Sequence, residues 1–298
     1  MGNRLLKFSL FATFQMAVLL HANAVIGGDL PSPTENGLET PAASTDQMTS
    51  SKDGSPDEVA QKAQNPVSDL VSVPFQWNLN GGLQDPERFQ NLLNIQPVLP
   101  IPLGTQWNLV QRIILPIYST RQPREEFGLG DTTASFFLSP LSSGAFTWGV
   151  GPVLLLPTAT RASFGTGKLG AGPTGVIVLS WQKWVIGFLV NHVWSFVGES
   201  NSDNVNQTFS QPFMNFNLPN GFYLNTSPIL ITQWNRPSGE RWLVPLGLGI
   251  GKFFSTGNQK WNGQLAGYWN VVRPDEAPQW NLRFSLTLLF PVTEGPSF

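Results

Sequence analysis

The stretch from Gln279 to Pro291, "QWNLRFSLTLLFP", decides the fold. Read in twos, Trp280, Leu282, Phe284, Leu286, Leu288 and Phe290 form one apolar set. Asn281, Arg283, Ser285 and Thr287 form the other, with Leu289. A period of two is a β-strand with unlike faces. The strand is long, and an arginine stands in the middle of its polar face. Both features suit a strand crossing a bilayer: hydrocarbon meets the apolar set, and a polar interior meets the arginine. At mid-depth an arginine is tolerated inside a barrel and costs about 2–4 kcal/mol on the lipid side.

The same reading extends back along the chain. "RWLVPLGLGIGKF" sets Trp242, Val244, Leu246, Leu248 and Ile250 outward, with Gly247, Gly249 and Gly251 inward. Inward glycines point to a close approach from within, by the N-terminal segment or by tight curvature. "WNGQLAGYWNVV" sets Trp261, Leu265, Trp269 and Val271 outward and Asn262, Gln264, Tyr268 and Asn270 inward. After Leu70 about twelve such segments follow, near 70–80, 89–99, 105–117, 128–139, 144–156, 168–181, 183–196, 209–218, 221–234, 240–254, 260–272 and 279–290. Soluble strands average roughly 5 or 6 residues, and tilted membrane strands about 9–11. Pro97, Pro152, Pro228 and Pro245 interrupt these segments, and bulges are the expected remedy. The expectation is an all-β transmembrane antiparallel up-and-down barrel of about twelve strands.

The joins agree. "IPLG", "PLSSG", "QK", "PN" and "STGNQ" follow the even-numbered segments. Most joins after odd ones are longer, as in "STRQPREEFG" and "VGESNSDNVNQT". Outer-membrane barrels combine short periplasmic turns with longer external loops, which puts both termini in the periplasm. Trp107, Trp181, Trp184 and Trp261 fall at the ends assigned to the periplasmic side, and Trp194, Trp234, Trp242 and Trp280 at the external ends. These are the expected interface anchors against outer-membrane lipid.

Composition supports this. Only 12% of the residues are charged, about half the share of a soluble domain. Of the charges after Leu70, only Arg112, Asp131 and Arg283 fall well inside strands. There is no cysteine, and His21 and His192 are the two histidines; no metal or other cofactor is expected. No basic run suggests nucleic acid as a partner.

Residues 1–24 read as a signal peptide: Arg4 and Lys7, an apolar core "FSLFATFQMAVLL", and the cleavage pattern Ala22-Asn23-Ala24. Removal leaves 15 of the 17 basic residues against 19 acids, a net of −4. Residues 25–69, rich in Pro, Ser, Thr and acids, read as a disordered periplasmic segment. A short helix capped by Ser55 fits within it. Residues 70–298 form the barrel domain, in the bacterial outer membrane.

"QNPVSDLVSVPFQWNLN", "LNIQPVLPIPLGTQWNLVQRIILPIYS", "GLGDTTASFFLSP" and "WGVGPVLLLPTAT" together resemble the bacterial outer-membrane family named for the MetA pathway of phenol degradation. The resemblance runs from about Ala60 to Phe290. It implies an outer-membrane barrel, inserted by the barrel-assembly machinery, that passes small aromatic or other hydrophobic compounds. One departure concerns the aromatic residue that ends many barrels as an assembly signal: Phe290 and Phe298 both qualify.

Three function classes compete. A passive channel is supported by an inward polar set, with Asn94, Gln96, Arg112, Asp131, Asn191, Asn225, Gln264, Asn270, Asn281 and Arg283 as lumen-lining candidates. Arg112, Asp131 and Arg283 would form a constriction or selectivity ring, or merely satisfy one another in a filled interior. A hydrolase needs a base aligned with a nucleophile, but His192 faces outward beside Val190 and Trp194 while Ser195 faces inward. A surface adhesin needs larger loops than these.

Overall fold

The computed structural model describes residues 56–83, 89–120, 126–141 and 144–290. The expected signal sequence, the 25–55 stretch with Ser55, and Phe298 lie outside these residues. Among the described residues one α-helix, α1 (Pro56–Gln64), precedes fifteen strands. These are β1 (Val71–Gly81), β2 (Phe89–Ile95), β3 (Val98–Leu103), β4 (Trp107–Thr120), β5 (Glu126–Leu129), β6 (Thr132–Pro140), β7 (Phe146–Leu156) and β8 (Lys168–Trp181), then β9 (Trp184–Gly198), β10 (Asn206–Asn217), β11 (Phe222–Thr226), β12 (Leu230–Gln233), β13 (Trp242–Thr256), β14 (Gln259–Val272) and β15 (Trp280–Phe290). All pair antiparallel in one sheet, and β15 pairs back onto β1. Three passages are split in two, β2 with β3, β5 with β6, and β11 with β12, so the sheet is a closed barrel of twelve passages.

Prolines account for most of the irregularities. Pro97 separates β2 from β3, and the gap is bridged by Gln96 N–H to Pro74 O and Ile113 N–H to Pro97 O. Pro228 lies in the gap between β11 and β12. At Pro245 the β13–β14 register shifts. Pro152 needs no shift, because it stands opposite Pro173 on β8. Each proline lacks an N–H, so the ladder must open or skip there.

The seam between β1 and β15 shows why the sequence closes. Along it, Trp77 pairs with Phe284, Phe75 with Leu286 and Val73 with Leu288, while Asn78 pairs with Arg283 and Gln76 with Ser285. Apolar meets apolar on one face and polar meets polar on the other. A slip of one residue would exchange the two faces throughout.

Burial is inverted relative to a soluble domain. Leu248 is 73% exposed and Trp269 56%, whereas Asn225 and Arg283 are each 6% exposed and Asn78 4%. An apolar outside and a polar inside is the pattern of a barrel in lipid. The eight singled-out tryptophans lie in or beside the strand ends, four toward each end of the barrel. Trp77, Trp148 and Trp269 share the outward face with them; Trp148 packs edge-on to Trp107, with centroids 6.1 Å apart. Gly81 leaves the space that the Trp280 ring fills, since a Cβ there would lie 2.2 Å from Trp280 Cζ2.

The N-terminal segment enters the barrel at the end with short turns. Gln61 Nε2 donates to Gln182 O in the β8–β9 turn (2.9 Å), and Gln64 Nε2 donates to Asn217 Oδ1 (2.8 Å). Asn65 and Pro66 then end the helix, and Val67 N–H bonds back to Asn65 Oδ1. Val67 joins an apolar cluster with Val110, Phe137, Val176, Val178, Val185, Leu189 and Phe213, all on the inner wall. That inner wall is therefore polar on one side only; between β4 and β10 it is a small protein core sealed by Val67. The inward glycines of β13 are approached differently: Tyr223 of the neighbouring β11, not the N-terminal segment, occupies the space beside Gly251.

If the apolar face lies in hydrocarbon, Phe284→Arg should lower unfolding stability in lipid vesicles by about 2–4 kcal/mol. Inward Ser285→Gln should change it by less than about 1 kcal/mol. Denaturant titration followed by tryptophan fluorescence checks both.

Candidate functional site: a polar cavity inside the barrel

Between the segment Ala63–Leu70 and the polar inner wall lies a cavity of about 200 Å³. Its walls come from β1, β3, β4, β9, β10, β11, β14 and β15 and from the short runs after β2 and β11. The volume is below the roughly 300–1,000 Å³ of a drug-sized pocket, so the space suits a small solute.

Of the expected lumen-lining residues, Gln96, Arg112, Asn225, Gln264 and Arg283 line this cavity. Gln264 Nε2 donates to Asn225 Oδ1, and Asn225 Nδ2 donates to Asn215 Oδ1 at 2.9 Å, an amide chain across three passages. Gln96 Oε1 accepts from Arg112 Nη2 at 2.8 Å. The others are elsewhere. Asn94 faces inward opposite Gln76, and Asn191 faces inward opposite Thr174, yet neither borders the cavity. Asn281 Nδ2 donates to Asn80 Oδ1 at 2.8 Å, nearer the external end. Asn270 Nδ2 donates to Pro278 O at 2.7 Å and fastens the join between β14 and β15.

The expected ring of Arg112, Asp131 and Arg283 does not form. Asp131 lies in the break between β5 and β6, where its carboxylate accepts from Ala159 N (3.2 Å), Thr166 N (2.6 Å) and Thr166 Oγ1 (2.8 Å). It is fixed by the long loop between β7 and β8, whose open N–H groups need an acceptor. The arginines therefore lack the carboxylate that spacing along the sequence suggested.

Arg283 has a different set of partners. Its Nε donates to Asn78 Oδ1 at 3.2 Å and its Nη1 to Ser227 O at 2.9 Å, and the guanidinium lies 4.6 Å from the Tyr268 ring centroid. The Ser227 carbonyl is free to accept because Pro228 has opened the ladder beside it. Leaving such a buried carbonyl unpaired would cost about 1–3 kcal/mol. The side-chain parity of Asn215, Tyr223 and Ser285 was readable from the sequence. The arginine-to-Ser227 bond was not, because it depends on where a broken ladder turns its carbonyl.

His192 lies on the outer face, 4.0 Å from Trp194 between ring centroids. Its Nδ1 is 2.7 Å from Thr208 Oγ1, which also accepts from Trp234 Nε1 at 2.8 Å. His192 Nε2 is buried and meets no partner among the described residues. Among the described residues no third group orients the ring, an arrangement that an activated nucleophile uses. Ser195, inward on the same strand, instead accepts from Val205 N at 2.8 Å.

No family model matches the chain, and no curated protein does. Among solved structures it is similar to an outer-membrane channel from Pseudomonas putida F1, with a TM-score of 0.56 and 15% identity. That likeness covers 74% of this chain and 94% of that one. The chain has the outer-membrane β-barrel fold. The NanC porin matches with a TM-score of 0.49 and 9% identity, over 74% of this chain and 100% of that one; that likeness is too loose to add to the first.

Asp131→Ala should free the β7–β8 loop without altering the cavity. Limited proteolysis of intact protein is expected to cut within 157–167 severalfold faster.

Proposed function

We propose that this protein is a non-enzymatic outer-membrane channel for small solutes, held nearly shut at its periplasmic end by the segment Ala60–Leu70. The observation that carries this reading is the inside-out burial of a closed barrel, combined with a polar cavity under a segment that is not part of the wall. A barrel built only to anchor a surface would have no reason to keep a water-compatible space inside it. The segment is held by three side-chain hydrogen bonds, from Gln61 to Gln182 O and both ways between Gln64 and Asn217, and by the buried side chains of Ala60, Val67 and Leu70. Such a closure is cheap to release, which suits a gate more than a permanent filling.

The solutes follow from two lines of support. The family resemblance implies small aromatic or other hydrophobic compounds. The cavity joins an apolar side at Val98, Leu189 and Phe213 to an amide-rich side, and so fits a small amphiphilic ring compound better than a sugar or a lipid chain. The placement in the outer membrane, after export by the N-terminal signal, belongs to the same proposal, as does insertion by the assembly machinery.

Planar-bilayer recordings of the purified protein test it. Wild type should show a small conductance, and both Val67→Asp and deletion of 25–69 should raise it severalfold. Identical traces from all three would show that the segment closes nothing. Absence of any current would remove the channel.

A further inference from the structure

We propose that the cavity is a binding site for a small organic anion, a carboxylate carried on an apolar body, held by Arg112 and Arg283. The transport half of this inference rests on the channel reading above; the binding half does not.

The argument begins with how the molecule treats its cations. At the barrel's ends two of them meet acids, Lys62 Nζ 3.0 Å from Asp69 Oδ2 and Arg161 Nη1 4.0 Å from Glu126 Oε1, while the accessible Arg273 donates to backbone carbonyls. In the cavity no such pair forms. Arg112 and Arg283 both border it, and no Asp or Glu among the described residues does. Their partners are neutral throughout: Gln96 for Arg112, and Asn78, the Ser227 carbonyl and the Tyr268 ring for Arg283. Neutral acceptors satisfy hydrogen bonds but leave the charge uncompensated.

A guanidinium does not escape burial by losing its proton. Two retained positive charges facing one enclosed space make that space attractive to an anion and repellent to a cation, as rings of arginine do in anion pores. Stability alone would favour a carboxylate beside each, and acids are available elsewhere in the chain. Donor capacity also remains. Arg283 Nη2 and Arg112 Nε and Nη1 have no protein acceptor among the described residues. Amides of Gln64, Asn65 and Gln211 face the same space.

The apolar part of the lining, in which Val98 stands directly across from Arg112, selects the rest of the ligand. Val98, Leu189 and Phe213 edge the cavity, and the last two belong to the apolar cluster sealed by Val67. A bare inorganic anion would leave these side chains facing water. A carboxylate on a ring or short hydrocarbon places its charge at the arginines and its body against them.

The test is isothermal titration of the full-length protein in detergent micelles with benzoate, and with benzamide as a neutral match in shape. Benzoate should bind at least about tenfold more tightly than benzamide. Arg112→Gln should remove most of that preference, and Arg283→Lys, which keeps a positive charge while losing the fork to Asn78 and Ser227, should retain part of it. Equal binding of both probes, binding of neither, or a benzoate preference unchanged in Arg112→Gln would overturn the site. Chloride competing as strongly as benzoate would overturn the apolar half of the assignment.

A second readout separates this inference from the channel reading. In a potassium chloride gradient across a bilayer, the reversal potential should show anion preference that shrinks in Arg112→Gln. A cation-preferring or unselective current would overturn the anion assignment and leave the channel. No current in wild type or Val67→Asp would overturn the channel, with the site still judged by titration.

Discussion

A sheet in hydrocarbon has no water to satisfy its edges, so every backbone N–H and C=O must find a partner within the protein. For β-structure this demands that the last strand meet the first. Here the requirement falls on β1 and β15, which are separated by almost the whole barrel in sequence and yet pair over eleven residues. Their side chains alternate in step, so closing the barrel also sorts the two faces. The other features of the molecule depend on that seam, including the outward tryptophans, the inward amides and the enclosed cavity.

Closure also fixes what the interior can hold. A barrel of twelve passages lies between the eight-stranded barrels that side chains fill and the sixteen-stranded ones that enclose an aqueous channel. This chain divides the space. One side of the inner wall is apolar and packs onto Val67; the other is polar and bounds the cavity. The broken passage between β11 and β12 is part of that division, because opening the ladder at Pro228 turns the Ser227 carbonyl to meet Arg283. An irregularity that would weaken a soluble sheet here fixes a charge inside a membrane barrel.

Strands with unlike faces were easy to read. In "NLRFSLTLL" the polar interior and the lipid exterior stamp a clear period of two, and the structure follows it residue by residue. Val176, Ile177, Val178 and Leu179 on β8 show no such period. Ile177 and Leu179 face lipid, while Val176 and Val178 face the cluster around Val67, so both environments are apolar and the alternation vanishes. The apolar half of the lumen was hidden for that reason. The charge ring failed for another: Asp131 was assigned from its place in a strand-like run, whereas the backbone breaks there and the side chain serves a loop. Side-chain parity is local and legible, but the partner of a charge across a closed sheet depends on breaks and register.

The seam itself gives the most direct measurement. The chain contains no cysteine, so Val73→Cys with Leu288→Cys introduces one pair, at positions that face each other across β1 and β15. Paired Cα atoms lie about 4.5–5.5 Å apart in antiparallel sheet, within reach of a disulfide. In reconstituted membranes, mild oxidation should join the two within one chain nearly completely, as mass spectrometry of linked peptides would show. The pair Val73→Cys with Phe284→Cys, offset along the seam, should not link. Free thiols at 73 and 288, or bridges formed only between chains, would contradict a closed barrel.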